Sequence, residues 1–474
     1  MKFISVLVIL SFCLSVSGIS QQFKSDNPGI SAAFQLAVQT VDINTRRGIL
    51  AAGGDYGGEW TRDISINSWN GVSLLRPGIA ENSLWSVTIH EDSIGHQYWD
   101  KIIWVLAAFN QYQITGDKEF LAQAYHCASN TLKALEAEKF DGKYGLFKGP
   151  SVFNDGIAAY PEPIYEPANY SSSVLDHKGS ENIKCLSTNC IYFGAYKALY
   201  QMSIILDENK SETVDFLEKS VHLKNNILKN LYNKESNTFY YLIDQLGNID
   251  KSQEALGISY AVLFGIVDSA KANQLIAHTK VSKFGITSIY PDFPRYSADK
   301  PGRHNNMVWP MVNGFFAHAA IVSGNYATFT SELVNLTNLA LDEDKGDYNF
   351  REIYNANTGK PDGGWQANGA GNPDFHWASC KLQTWSATAY ISMILYGLFG
   401  MEFSATAVSF KPYLPSGTGS IEFRDLKYRD AILNISIIGK GNVIKLFSVD
   451  GKLQKNHFLN SNIKGVHSVS IQMG

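Results

Sequence analysis

The chain has little cysteine, 5 residues in 474, and little charge of either sign in excess, with 40 Lys and Arg against 44 Asp and Glu for a formal net charge of -4. So few cysteines exclude a small domain stapled by disulfides. So small a net charge removes the electrostatic reason to bind nucleic acid. Beyond the N-terminus no run of about 18 uncharged apolar residues occurs, which excludes a second membrane-spanning helix. What is abundant is core material: 45% apolar against 18% charged residues excludes a disordered chain. Aromatic residues make up 12%, and such side chains suit the apolar faces of sugars, so a carbohydrate or another neutral ligand is the expected partner.

Met1-Lys2-Phe3, the apolar run from Ile4 to Val16 and the small pair Ser17-Gly18 follow the order of a signal peptide over residues 1–18. The expectation is a secreted protein, or a periplasmic or lumenal one depending on source, free of the membrane after cleavage and monomeric by default. Cys13 falls in that segment, and an oxidising compartment would permit a Cys185–Cys190 bridge, with Cys127 and Cys380 left over. Asn169, Asn209, Asn335 and Asn434 each open an Asn-x-Ser/Thr glycosylation pattern. His90 and His96 are six apart rather than the four that would bring them onto one helical face, so no zinc site is expected, and no acidic loop resembles a calcium cage. No cofactor is implied.

Two kinds of helical segment alternate along the chain. Ile102 to Tyr112, Ile191 to Ile205, Leu256 to Val267, Val308 to Val322 and Thr388 to Phe399 are apolar almost all round, as wholly buried helices must be. Lys118 to Lys139, Glu212 to Asn233, Asp268 to Lys280 and Tyr326 to Leu341 carry an apolar stripe at three-to-four spacing against a polar face. Turn residues such as Thr115-Gly116-Asp117 and Ser323-Gly324-Asn325 join each buried helix closely to an exposed one. Adding Ser31 to Val41, Ile64 to Leu75 and Ile79 to Thr88 brings the number to about twelve, which suits six inner helices ringed by six outer ones. That arrangement is an (α/α)6 barrel, expected over residues 19–401. From 402 to 474 short alternating runs predict a small antiparallel β domain. All 9 Trp precede Thr388, so ligand contacts are expected in the helical part.

Long connections lead from outer to inner helices, and loops of that length in a compact domain usually carry function. Hydrolysing a glycosidic bond takes one carboxylic acid to protonate the departing oxygen and a second carboxylate to attack or to activate water. Asp155, in Phe153-Asn154-Asp155-Gly156, has apolar and aromatic sequence neighbours that would raise its pKa, and is the expected general acid. Glu352, in Phe350-Arg351-Glu352-Ile353-Tyr354-Asn355, is the expected general base, with Arg351 and Tyr354 as its orienters and Tyr354 also a substrate contact. Asp55, Glu59, Asp92, Asp100, Glu162 and Glu166 are substitutes for either role. The Asp and Arg of Arg62-Asp63 would otherwise read as an ion pair at a helix start, and Trp309, Trp377 and Trp385 as core.

Three motifs resemble known families. Trp60-Thr61-Arg62-Asp63 resembles the Arg-Asp pair with which glucoamylases and the processing α-glucosidase family, glycoside hydrolase family 63, hold a terminal sugar. Glu352-Ile-Tyr-Asn355-Ala-Asn-Thr-Gly359 is similar to that second family's Glu-x-Tyr-Asn-x-x-Thr-Gly stretch, whose Glu is the base, and His304 to Pro310 resembles its Trp-Pro segment. The resemblance spans Gly53 to Met401. It implies an inverting, exo-acting, α-glucosidase-like hydrolase, with Arg62 and Asp63 gripping the terminal sugar, Trp60, Trp309, Trp377 and Trp385 offering stacking surface, and carboxyls roughly 6.5–9.5 Å apart. An α-L-rhamnosidase, with a similar barrel and β tail, is the nearest alternative. A polysaccharide lyase or a non-catalytic sugar-binding protein on the same barrel are the rivals from other classes.

Overall fold

The computed structural model describes residues 21–474 apart from 57–59, 343 and 345–346. The signal peptide expected over 1–18 and the substitute carboxylate Glu59 therefore lie outside the described residues.

Twelve helices form the main body among the described residues. In chain order they are α1 (Pro28–Ile43), α2 (61–75), α3 (Pro77–Ser86), α4 (Ile103–Thr115), α5 (Lys118–Lys139) and α6 (Leu186–Leu206). The second half comprises α7 (Lys210–Asn230), α8 (Ala255–Leu263), α9 (Ser269–His278), α10 (Pro310–Val322), α11 (Tyr326–Leu341) and α12 (384–398). The even-numbered helices form the inner ring: each packs on the next, and α12 closes the circle on α2. Residues 61–67 of α2 and 186–196 of α6 are buried without exception; the second segment is mostly apolar or small, whereas the first carries the charged pair Arg62-Asp63. The odd-numbered helices lie outside and show their polar faces to solvent. The (α/α)6 barrel expected from the alternation is thus the fold.

The turn residues do the work their chemistry suggests. Gly116 ends α4 with φ of 75°, and the Asp117 carboxylate then accepts from the backbone N–H groups of Glu119 and Phe120, capping α5. Three inner helices, α2, α6 and α12, begin several residues earlier than their apolar runs. α2 starts at Thr61 and α12 at Thr384, because polar residues there bond inward: Thr384 Oγ1 donates to Ala51 O, and Thr388 Oγ1 donates to Asn67 Oδ1 on α2. Trp309 caps α10, while Met307–Val308 is a strand paired with Tyr354–Asn355. Short two-stranded ribbons follow several outer helices, as at Thr45–Arg46 with Ile49–Leu50 and Phe140–Asp141 with Leu146–Phe147. Strands of two residues leave no periodicity to read in a sequence.

The tail is β structure. Its larger sheet runs Gln22–Ser25, Ser420–Tyr428, Ala431–Ile438, Gly465–Met473, Ile444–Val449 and Lys452–Leu453 in spatial order. Met401–Phe403, Ala407–Phe410 and Phe458–Asn460 form a second sheet. The first strand of the larger sheet comes from the other end of the chain, with Phe23 opposite Phe423. Phe23 lies 4.6 Å from Phe34 of α1 and about 6 Å from Phe399 and Phe423, ring centre to ring centre, so one aromatic cluster ties α1, the end of α12 and the sheet together. All four cysteines in the described residues are free, buried thiols, so Cys185 and Cys190 are unbridged. Among the described residues no helix is long and apolar enough to cross a membrane.

Phe23→Ala is expected to cost about 3–5 kcal/mol of stability, because the cavity it opens faces three other rings and cannot collapse. A urea midpoint within error of the wild-type value would show that the strand is not fastened through this ring.

Candidate active site

The inner helices point their N-termini toward one end of the barrel, and a cavity of about 370 Å³ opens there. Trp60, Arg62 and Asp63 from the start of α2, Trp309 from the start of α10, and Gln383 and Trp385 from the start of α12 all line it. None of these three helix starts has a side-chain cap among the described residues. Their backbone N–H groups and the positive ends of the helices favour negative charge in the cavity. Carboxylates from the long loops supply that charge.

Arg62 is the cation at the floor, and it is buried. Its Nη1 donates to Asp100 Oδ2 at 3.0 Å, its Nη2 donates to Asp155 Oδ2 at 3.3 Å, and Nε lies 3.8 Å from Asp63 Oδ2. Asp100, held in reserve for a catalytic role, does not line the cavity and instead anchors this arginine. Burial is the largest influence on Asp63 and pushes it up to about 7, with Asp155, Glu352 and Asp100 adding to the rise and Arg62 opposing it. Burial likewise pushes Asp100 up to about 6 against the pull of Arg62.

Asp155 behaves differently from expectation. Burial would raise its pKa, as its apolar sequence neighbours suggest, but Arg62, His304 and Arg303 together outweigh that and hold the carboxyl below its ordinary value. The cause is tertiary: the guanidiniums of Arg62 and Arg303 and the neighbouring His304 ring come from α2 and from the 303–304 loop, remote in sequence. The loop that carries Asp155 is heavily braced. Tyr160 Oη–H donates to Asn154 O and Ser151 Oγ–H to Glu254 Oε1, at 2.5 and 2.6 Å. Ser187 N–H donates to the other oxygen of Glu254, tying the loop to α6 and α8. Phe153, two residues before the acid, has φ of 60°, a left-handed conformation that a phenylalanine adopts only when its surroundings impose it.

Glu352 lines the same cavity from a different loop. Arg303 Nη2 donates to its Oε2 at 2.9 Å, and Tyr56 Oη–H donates to its Oε1 at 2.7 Å. Each residue of its motif has a separate task. Tyr354 is fully buried and does not reach the cavity: its hydroxyl donates to Asn349 O and accepts from Arg351 N–H, locking the loop from behind. The substrate contact expected of Tyr354 is therefore replaced by a bracing role. Asn355 Oδ1 accepts from the backbone of Asn357 and Thr358 to form a tight turn. Gly359 completes it at φ of 72°, where a Cβ would stand 2.7 Å from the Phe284 ring.

Of the other expected residues, Trp60, Trp309, Trp377 and Trp385 all line the cavity. Asp55, Asp92, Glu162 and Glu166 do not. Arg303, Tyr56, Gln366 and Gln383 line it without having been singled out from the sequence. An Arg directly before the His304 segment, in a long loop, was the one available sign of Arg303.

Residues 101–378 match the family described as the mannosylglycerate hydrolase MGH1-like glycoside hydrolase domain. A GH63 mannosylglycerate hydrolase from Thermus thermophilus, solved with Tris, is 16% identical with a TM-score of 0.59, covering 76% of this chain and 100% of its own. The same enzyme has been solved with glucose. A sialidase structure is 13% identical with a TM-score of 0.69, covering 93% of this chain but 40% of its own. A GH78 family rhamnosidase of Bacillus sp. GL1 is 14% identical with a TM-score of 0.59, covering 96% of this chain and 44% of its own. The chain thus spans less than half of those two proteins, and at such identities the likeness is one of fold. No curated protein matches the chain.

Burial pushes Glu254 from its usual 4.5 up to about 7, with Ser151 and Ser187 opposing the rise. The fold therefore prefers its protonated form: the associated stability is full below 4.5 and is lost as pH rises through about 7. Glu254→Gln should abolish this loss, so that its Tm falls less than the wild-type Tm between about pH 5 and about pH 8. Parallel Tm profiles would contradict the assignment.

Proposed function

The chain belongs to the MGH1-like glycoside hydrolase family, and from that premise we propose that it is an inverting, exo-acting hydrolase that removes one α-linked terminal hexose. The observation that carries this proposal is that Glu352 and Asp155 line one cavity from two separately braced loops, above the Arg62–Asp63 pair. Glu352 takes a proton from water, whose oxygen bonds to the anomeric carbon. Asp155 gives its proton to the glycosidic oxygen as the old bond breaks, and the two carboxyls then exchange protons with solvent. A substrate entering the cavity displaces water from Asp155, and the loss of solvation raises its pKa toward the protonated form.

The cavity, at the small end of the roughly 300–1,000 Å³ usual for ligand sites, suits a single terminal sugar. Arg62 and Asp63 at its floor favour a glucosyl unit by their likeness to the glucosidase motif. The family description favours a second reading, the mannosyl unit of a mannosylglycerate-like compound. Arg62 and Arg303, the guanidinium groups in the described lining, are both engaged with carboxylates. A neutral aglycone therefore suits the cavity better than an acidic one. Export through residues 1–18 belongs to the same proposal.

Proton NMR of hydrolysis of α-linked gluco-, manno- and rhamno-oligosaccharides should show the β-anomer released first from a glucoside or mannoside. Glu352→Gln and Asp155→Asn should each lower kcat by about 10²–10⁴-fold. Retained configuration, or full activity without Glu352, would overturn the mechanism. Ultraviolet-absorbing unsaturated products would indicate a lyase.

A further inference from the structure

His304 lines the cavity, and the hydrolytic scheme does not use it. Its Nε2 lies 3.6 Å from Asp155 Oδ1, while Arg62 holds the other oxygen, Oδ2. The ring is fixed on both sides. It stacks on Trp309 with centroids 4.8 Å apart and planes at 20°, and Phe153 lies 5.8 Å away. Gly156 passes so close that a Cβ there would stand 2.3 Å from Nδ1 and 2.6 Å from Gln366 Oε1. His304 Nδ1 and the Gln366 side-chain oxygen therefore meet across this glycine, both buried and both without a conventional hydrogen bond. Two acceptors in that position are satisfied together if the Gln366 amide presents its NH2 to Nδ1, an orientation equivalent in shape.

We propose that His304 is a positioning residue for Asp155: Gln366 donates to its Nδ1, which fixes the proton on Nε2, and Nε2–H faces Asp155 Oδ1 from 3.6 Å, a contact that tightens to a hydrogen bond in the substrate complex and leaves Oδ2 to carry the proton delivered to the glycosidic oxygen. This rests on Asp155 being the general acid. A neutral ring is what the role requires, since an imidazolium would add a third positive charge beside Arg62 and Arg303 and hold Asp155 ionised. Burial keeps the ring neutral, pushing its pKa down to about 3, with Arg303 and Arg62 acting in the same direction and Asp155 and the Gln366 side chain opposing it. The charged or titratable groups acting on Asp155 are Arg62, Arg303, His304, Asp63 and Asp100. Gln366 sits on the Trp365–Gln366 strand, paired with Phe375–His376, so this hairpin reaches the acid through His304.

The test compares two leaving groups. Fluoride departs without protonation, whereas methoxide needs the acid. For the methyl α-glycoside of the accepted sugar, His304→Leu should lower kcat by about 10–100-fold with KM within about threefold. For the corresponding α-glycosyl fluoride, kcat should change by less than about threefold. The alkaline limb of kcat/KM should move to higher pH, because a donor to the ionised carboxylate is lost. His304→Gln, which can still donate, should recover part of the activity. Gln366→Leu, which leaves Asp155 and His304 in place, should show the same leaving-group signature more weakly and serves if His304→Leu does not fold. Equal losses on both substrates, or an unchanged rate on the methyl glycoside in His304→Leu or, failing its folding, in Gln366→Leu, would overturn the proposal. Asp155→Asn run alongside separates the two failures: if it is inactive on the methyl glycoside while His304→Leu is not, only the positioning role falls, and if it is active the acid assignment falls.

Discussion

The site depends on keeping one buried guanidinium neutralised. Arg62 stands at the floor of the cavity with Asp63, Asp100 and Asp155 around it. A buried cation without partners would be prohibitively costly, and three carboxylates without it would be no better. Arg303 and Glu352 form a second buried ion pair in the same lining. Carboxylates still outnumber the two guanidiniums, and the molecule accommodates the excess in two ways. The positive N-terminal ends of inner helices face the cavity, and Asp63 and Asp100, pushed up to about 7 and about 6, can take up protons. Charge in the site is therefore shared between the barrel and the loops.

Rigidity comes from outside the charged groups. Asp155 and Glu352 both sit on loops, where precise placement has to be built in. Buried hydroxyls and carboxylates build it. Ser151, Tyr160, Ser187 and Glu254 fasten one loop to α6 and α8, while Tyr354, Asn355 and Ser379 fasten the other. Fully satisfied buried networks of this kind specify one arrangement. The left-handed Phe153 indicates that the surrounding structure, rather than local preference, decides where Asp155 points.

Much of the site was legible because its residues fall in motifs. Arg62, Asp63, Glu352 and the four tryptophans were identifiable from local patterns, and all of them reach the cavity. Tyr354 steadies the Glu352 loop as an orienter would, but the substrate contact also expected of it does not form, for an equally local reason. A motif records that a residue type recurs beside a catalytic one, and does not say whether it faces the substrate or the back of the loop. Asp155 was found in its loop, but its ionisation was misjudged, since apolar sequence neighbours say nothing about Arg62 and His304 arriving from elsewhere. Arg303, Tyr56, Gln366 and Gln383 carried no pattern of their own.

By itself the sequence determined the barrel. Helix burial leaves a period in the residue order, and an alternation of wholly apolar and half-polar helices has few ways to close. It also pointed to the N-terminal ends of particular helices and the long loops before them, whose residues line one cavity. The tertiary structure alone decided which side chains meet. Pairing between residues 62 and 100, 303 and 352, or 304 and 155 depends on how loops from different parts of the chain converge over the ring of helix ends. It decided too that Gln22–Ser25 would join a sheet made from the far end of the chain. Contacts of such separation leave no trace in local periodicity, because the forces that select them, desolvation and charge pairing, act only once the chain has folded.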